Sequence, residues 1–120
     1  MSNSPKNLYK KLLGIKGERL TIKYLKKQGY KILEKNYSTK FGEADIIAKK
    51  DNNIVFVEVK TRTSERFGTP SQAVGYEKQR KYKNLALFYM QQNNLDDCVL
   101  SFAVSEVLNG EINFINEAFQ

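Results

Sequence analysis

The chain has 120 residues, with 20 Lys and Arg against 13 Asp and Glu, a formal net charge of +7 and no histidine. That length supports one small domain around one core, spanning residues 1–120. The missing histidine excludes His-based acid–base catalysis, His-containing triads and nearly all zinc sites. A lone cysteine, Cys98, excludes an internal disulfide framework and agrees with a reducing cytoplasm. The positive charge points to a polyanionic partner, nucleic acid before membrane. Met1 to Lys11 lacks the apolar stretch of a signal peptide, and no apolar run nears the roughly 20 residues of a membrane span. The expected protein is soluble and cytoplasmic, with no membrane partner.

In chain order, Asn7 to about Gln28 carries a helical pattern that Gly29 ends as a C′ residue. Tyr30 to Tyr37 is a short strand. Phe41 to Lys49 and Ile54 to Thr61 form a hairpin, with Asp51, Asn52 and Asn53 supplying its turn. Ser64 to Pro70 reads as a loop, and Ser71 as the cap of a helix running to about Asn93. Val99 to Leu108 and Glu111 to Ile115 are strands joined by Asn109-Gly110, a strong hairpin signal. The order αβββαββ predicts an α/β (α+β) fold in which helices pack on a sheet.

The hairpin holds the unusual chemistry. Asp45 stands in one apolar run, and Glu58 and Lys60 stand two apart in the next, where i and i+2 share a face. If Asn52 and Asn53 form the loop, Asp45 lies across from Lys60; if Lys50 to Asn53 form it, Asp45 lies across from Glu58. Either even loop puts all three on one face. Ile54 to Val59 is apolar on both faces apart from Glu58, as in a central strand covered on both sides. A structural Glu58–Lys60 ion pair is the plainer reading, but a second carboxylate in so apolar a setting favours a working site.

Without histidine, a metal must be a hard ion held by oxygens, Mg²⁺ or Mn²⁺. Two carboxylates, Asp45 and Glu58, with the Val59 carbonyl suit such an ion, and Lys60 suits a phosphodiester undergoing hydrolysis. Glu18 falls between Ile15, Ile22 and Leu25 of the first helix, which points it toward the sheet as a fourth candidate, while Gly14 and Gly17 permit close approach. In the second helix Val74, Lys78, Tyr82, Leu85 and Tyr89 form one stripe, turning Lys78 inward, to contact a phosphate or the acids or to snorkel out. Arg62, Arg66, Lys81 and Lys83 are candidates for a nucleic-acid backbone. Tyr76 and Phe67 are expected in the core rather than stacked on bases.

The segments GIKGE at Gly14 to Glu18, YLKKQGYKILEKNY, FGEADII, VFVEVKTR, FGTP, Lys78 and the ending NFINEAF occur in order across nearly the whole chain. In these the sequence resembles the YraN family, small bacterial proteins with a nuclease-like fold. More broadly, Asp45 followed by Glu58-Val59-Lys60 resembles the core of the PD-(D/E)XK nucleases, which include archaeal Holliday-junction resolvases and restriction endonucleases. The resemblance implies a restriction-endonuclease-like mixed sheet flanked by helices, with Asp45, Glu58 and Lys60 as catalytic core and Glu18 as a helix-borne acid. It also implies a Mg²⁺-dependent endonuclease on structured or branched DNA, DNA more than RNA, and allows a symmetric homodimer, since resolving a junction cuts two strands. Ala44 before Asp45, and Ser101-Phe102-Ala103-Val104 in place of Arg-Phe-Asp-Val, depart from the pattern. The alternative is a non-catalytic nucleic-acid-binding module on the same fold.

Overall fold

The computed structural model describes residues 5–62 and 75–118. Helix α1 (Pro5–Lys27) leads into β1 (Lys31–Thr39), β2 (Gly42–Lys50) and β3 (Asn53–Arg62). Helix α2 (Tyr76–Gln92), β4 (Val99–Leu108) and β5 (Glu111–Ile115) follow. The strands form one sheet in the order β1-β2-β3-β4-β5, antiparallel except for the parallel β3–β4 pair. This is the expected mixed sheet, in the expected order.

Local chemistry sets the element ends. Gly29 (φ 95) terminates α1 in a Schellman arrangement: Tyr30 N donates to the Leu25 carbonyl at 2.9 Å and Gly29 N to that of Lys26 at 3.1 Å. Asn109 (φ 51) and Gly110 (φ 83) turn β4 into β5, both with the positive φ that a tight hairpin needs. Two boundaries differ from expectation. The β2–β3 turn is Asp51-Asn52, because Asn53 already pairs with Lys50. Helix α2 takes Gly75 as its N-cap, with no side-chain bond, so Ser71 is not the cap; Ser71 itself lies outside the described residues.

The sheet separates two apolar layers. On one side α2 packs Tyr82, Leu85, Ala86 and Tyr89 against Ile47, Ile54, Phe56 and Phe102. On the other, α1 sets Leu25 and Ile22 against Ile46, Ala48, Val55, Val57 and Ala103. Strand β3 is central, and Ile54 to Val57 are at most 1% exposed, which accounts for their being apolar on both faces. The stripe that α1 buries is Gly17, Thr21 and Leu25, not the Ile15, Ile22, Leu25 set; Ile15 is 39% exposed. Gly17 lets the helix close on Thr61 of β3, where a Cβ would collide with the threonine hydroxyl. Thr21 replaces apolar contact with a buried bond, its hydroxyl 2.7 Å from that of Ser105 and 2.8 Å from the Gly17 carbonyl. Among the described residues no helix is long and apolar enough to cross a membrane.

Candidate active site at a strand fork

Strands β2 and β3 pair only as far as Ile46↔Val57. Beyond that point β2 continues against β1 to Gly42, while β3 continues against β4 to Arg62. The two central strands therefore part company at Asp45 and Glu58. The observed register, carried one residue further, sets Asp45 across from Glu58, one of the two pairings expected from the loop length. A fork exposes main-chain groups that a ladder would use, and Asp45 meets one of them: its Oδ2 accepts a hydrogen bond from Val59 N at 2.8 Å.

The alternation of faces also breaks here. Ile46 and Ala48 pack with α1, Ile47 with α2, and Ala44 again with α2. Asp45 lies at the step, between Ala44 and Ile46, which pair with Tyr37 and Lys35 of β1, and Asn36 between those two has a φ of 51 that marks an irregularity in the neighbouring strand. The Asp45 side chain is thereby directed into the opening rather than wholly onto one face, and it lines cavities on both sides of the sheet.

Glu58 is 4% exposed and fully engaged. Oε1 accepts from the Tyr82 hydroxyl at 2.9 Å, and Oε2 faces the Lys60 ammonium at 3.3 Å and that of Lys78. Lys78 and Tyr82 stand four apart on α2, so one helix face delivers both groups to the same carboxylate. Tyr82 is the partner that sequence reasoning passed over: it reads as one more core residue of a stripe. A buried tyrosine hydroxyl requires a partner, however, and that requirement is the signal that links it to the nearby acid.

The two carboxylates divide their charge. Burial first, and then the charge of Glu58, push Asp45 up from 3.8 to about 7, against the lowering effect of the Val59 N–H. Burial raises Glu58 too, but hydrogen bonds from Lys78, Asp45 and Tyr82 and the Lys78 charge together outweigh it and hold Glu58 below its ordinary value. On the acid side of about pH 7 the resting pair thus holds one proton, with Asp45 as the acid and Glu58 as the carboxylate. The same environment pushes the Tyr82 phenol upward, keeping it a donor.

Glu18 is half-buried at the flank of the α1 stripe and shares a cavity with Asp45, Val59 and Arg62, and its charge adds to the upward push on Asp45. Arg62 leans toward Glu106, 3.9 Å from Nε to Oε2. Lys78 is engaged by Glu58 while its side chain stays 46% exposed. Lys81 lines the α2-side cavity with Gly42 and Glu43. Tyr76, expected in the core, is instead the first residue of α2 and is 75% exposed. Arg66 and Phe67 lie outside the described residues.

The donors near the fork are oxygens, as a hard cation requires. Among the described residues no cluster of three or more Asp, Glu, Cys or His forms a cage that could by itself hold a metal. Two carboxylates and a main-chain carbonyl fit Mg²⁺ or Mn²⁺, which keep waters and take substrate phosphate as further ligands.

A five-stranded mixed sheet with one helix on each face is a nuclease-like α/β fold. The chain belongs to the uncharacterised protein family UPF0102, whose family model matches residues 17–107 and so includes Glu18, Asp45, Glu58, Lys60, Arg62 and Lys78. It is 46% identical to the UPF0102 protein of Caldicellulosiruptor saccharolyticus, over 92% of this chain and 98% of the relative. It is 47% identical to that of Caldanaerobacter subterraneus, over 95% and 99%. For Thermodesulfovibrio yellowstonii the figures are 50% identity over 89% and 95%.

Proposed function

We propose that this protein is a Mg²⁺- or Mn²⁺-dependent endonuclease that hydrolyses phosphodiester bonds in structured or branched DNA. The observation that carries the reading is the Asp45–Glu58 pair at the strand fork, with Lys60 beside it and Val59 hydrogen-bonded to Asp45. A buried Glu58 beside a half-buried Asp45, with a proton held between them, is costly in a structural role, whereas it suits a site that exchanges that proton for a cation. The net charge of +7 suits a polyanionic substrate.

The roles divide as follows. Asp45, Glu58 and the Val59 carbonyl hold the cation, which when bound supplies charge neutralisation at the phosphate and a more acidic water. Lys60 orients the attacking water or offsets charge gathering on the phosphoryl oxygens. Tyr82 keeps Glu58 aimed at the fork. Lys78 guards Glu58 in the resting protein and, being half-exposed, is free to move to a substrate phosphate. Glu18 reaches the fork from α1 and acts on the same water. Arg62 and Arg66 meet the nucleic-acid backbone.

The test is a cleavage assay with Mg²⁺ or Mn²⁺ across junction, flap, single-stranded and plain duplex DNA, with the matching RNA substrates alongside. Wild-type protein should cut at least one substrate, and Asp45→Ala should abolish the cutting. Undiminished cutting by Asp45→Ala would assign the activity elsewhere.

One observation favours a second reading. Glu58 Oε2 is already faced by two ammonium groups, an arrangement that also serves a nucleic-acid-binding module without catalysis. Calorimetry separates the two: absence of Mg²⁺ and Mn²⁺ binding, with DNA present, selects the module.

A further inference from the structure

The second cavity at the fork has features that the acid pair does not use. It lies on the α1 side of the sheet, has a volume of about 580 Å³, and reaches Asp45 and Glu18 at its acidic floor. Its rim is of a different character. Lys6 and Lys10, one turn apart on α1, and Arg62 at the end of β3 bring three cations to the same lining as Tyr9. Tyr9 is 58% exposed. The first turn of α1 carries no acidic residue, so Lys6 adds to the positive helix end instead of offsetting it, an arrangement that favours an anion.

The opposite cavity, about 430 Å³, contains Glu58, Lys78 and Lys81. Asp45 lines both. A polynucleotide bound with one phosphate at Asp45 continues in both directions, but cations outnumber acids only on the α1 side, because the opposite cavity sets Lys78 and Lys81 against Glu43, Asp45, Glu58 and Glu77.

We propose that the α1-side cavity is a subsite for one unpaired nucleotide next to the scissile phosphate. Tyr9 stacks on its base, and Lys6, Lys10 and Arg62 hold its phosphate. This rests on the nuclease reading for its place in the reaction, but not for the binding itself. The volume is that of a small-ligand pocket. Stacking on an aromatic ring needs a free base face, which a continuous duplex hides within its own stack. The substrate strand is therefore unpaired on this side of the cut, as in a flap or a single-stranded branch.

Fluorescence anisotropy in EDTA tests the subsite without cleavage, using a labelled oligothymidylate, a flapped duplex and a plain duplex. Tyr9→Ala should weaken the oligothymidylate and the flap about tenfold, and leave the plain duplex nearly unchanged. Tyr9→Phe should restore wild-type affinity. Lys6→Ala and Lys10→Ala should each lower the salt slope for the single strand by about 1. Equal weakening of duplex and single strand by Tyr9→Ala overturns the subsite, and so does no weakening of either. All three residues are on the exposed part of α1, so folding is not at stake. If the wild type cuts nothing yet Tyr9→Ala selectively loses the single strand, the subsite stands and the nuclease reading falls. If the wild type cuts and the variants bind the flap normally, the reverse holds.

Discussion

The Tyr82 hydroxyl donates to Glu58 Oε1 at 2.9 Å, with both residues at most 4% exposed. The bond ties the α2 layer of the core to the acid that β3 presents at the fork. Tyr82→Phe keeps the ring and its edge contact with Phe102 but strands a buried carboxylate oxygen. The expected loss is about 1.5–3 kcal/mol, the range for a hydrogen bond to a charged group, read from urea unfolding in EDTA. Cleavage should also fall, because an unanchored Glu58 aims less well.

Asp45 makes stability fall with rising pH in the metal-free protein. Its folded pKa, about 7, lies above its ordinary 3.8, so between those values the folded state holds a proton that the unfolded chain has released. Stability from this group declines across that window and levels off above it. Asp45→Asn removes the effect, so in EDTA the variant should melt a few degrees above wild type at pH 8 and nearly level with it at pH 4. For wild type, the rise in melting temperature on adding Mn²⁺ should be larger at pH 8 than at pH 5.5, since binding displaces the proton.

Glu58 has the opposite sign. Its folded pKa lies below the ordinary 4.5, so its contribution is present above that value and is lost as pH falls through the folded pKa. Lys78→Ala weakens the cause of the depression, and the acid-unfolding midpoint followed by circular dichroism should move to higher pH. An unmoved midpoint would show that Lys60 and Tyr82 hold Glu58 without it.

On the proposed nuclease reading, Lys60 acts in the reaction rather than in binding. Lys60→Met should reduce single-turnover cleavage by about 10²–10⁴-fold, with DNA affinity in Ca²⁺ nearly unchanged. A parallel loss of affinity would make it a backbone contact.

The hydroxyl pair of Thr21 and Ser105, 2.7 Å apart and fully buried, locks α1 to β4. Thr21→Val strands the buried Ser105 hydroxyl and should cost about 1–3 kcal/mol, whereas Ser105→Ala leaves Thr21 bonded to the Gly17 carbonyl and should cost about 0.5–1.5 kcal/mol. The double variant should cost less than their sum, by about 0.5–3 kcal/mol in a double-mutant cycle.

Much of this was legible in the chain. Gly29 and Asn109-Gly110 mark their turns through backbone freedom, and the run from Ile54 to Val57 announces a strand buried on both faces. The spacing of Asp45, Glu58 and Lys60 placed the acid pair and its lysine near one another. Less legible was α1, whose buried stripe contains Gly17 and Thr21: a close approach and a hydroxyl pair replace apolar mass, so hydrophobic phase alone misplaces the face. Tyr76 misled for a related reason, since its exposure depends on where α2 begins.

Local propensity and residue chemistry are properties of the chain itself, and by themselves they determined the element order, the central strand and the absence of histidine from any site. Only the tertiary structure decided that β2 and β3 separate at Asp45, that the face alternation breaks there, and that Tyr82 and Lys78 cross from α2 to Glu58. Each of these depends on competition between partners distant in sequence. β1 and β4 draw the two central strands apart, and the Lys78 and Tyr82 contacts to Glu58 decide which carboxylate keeps its proton more readily.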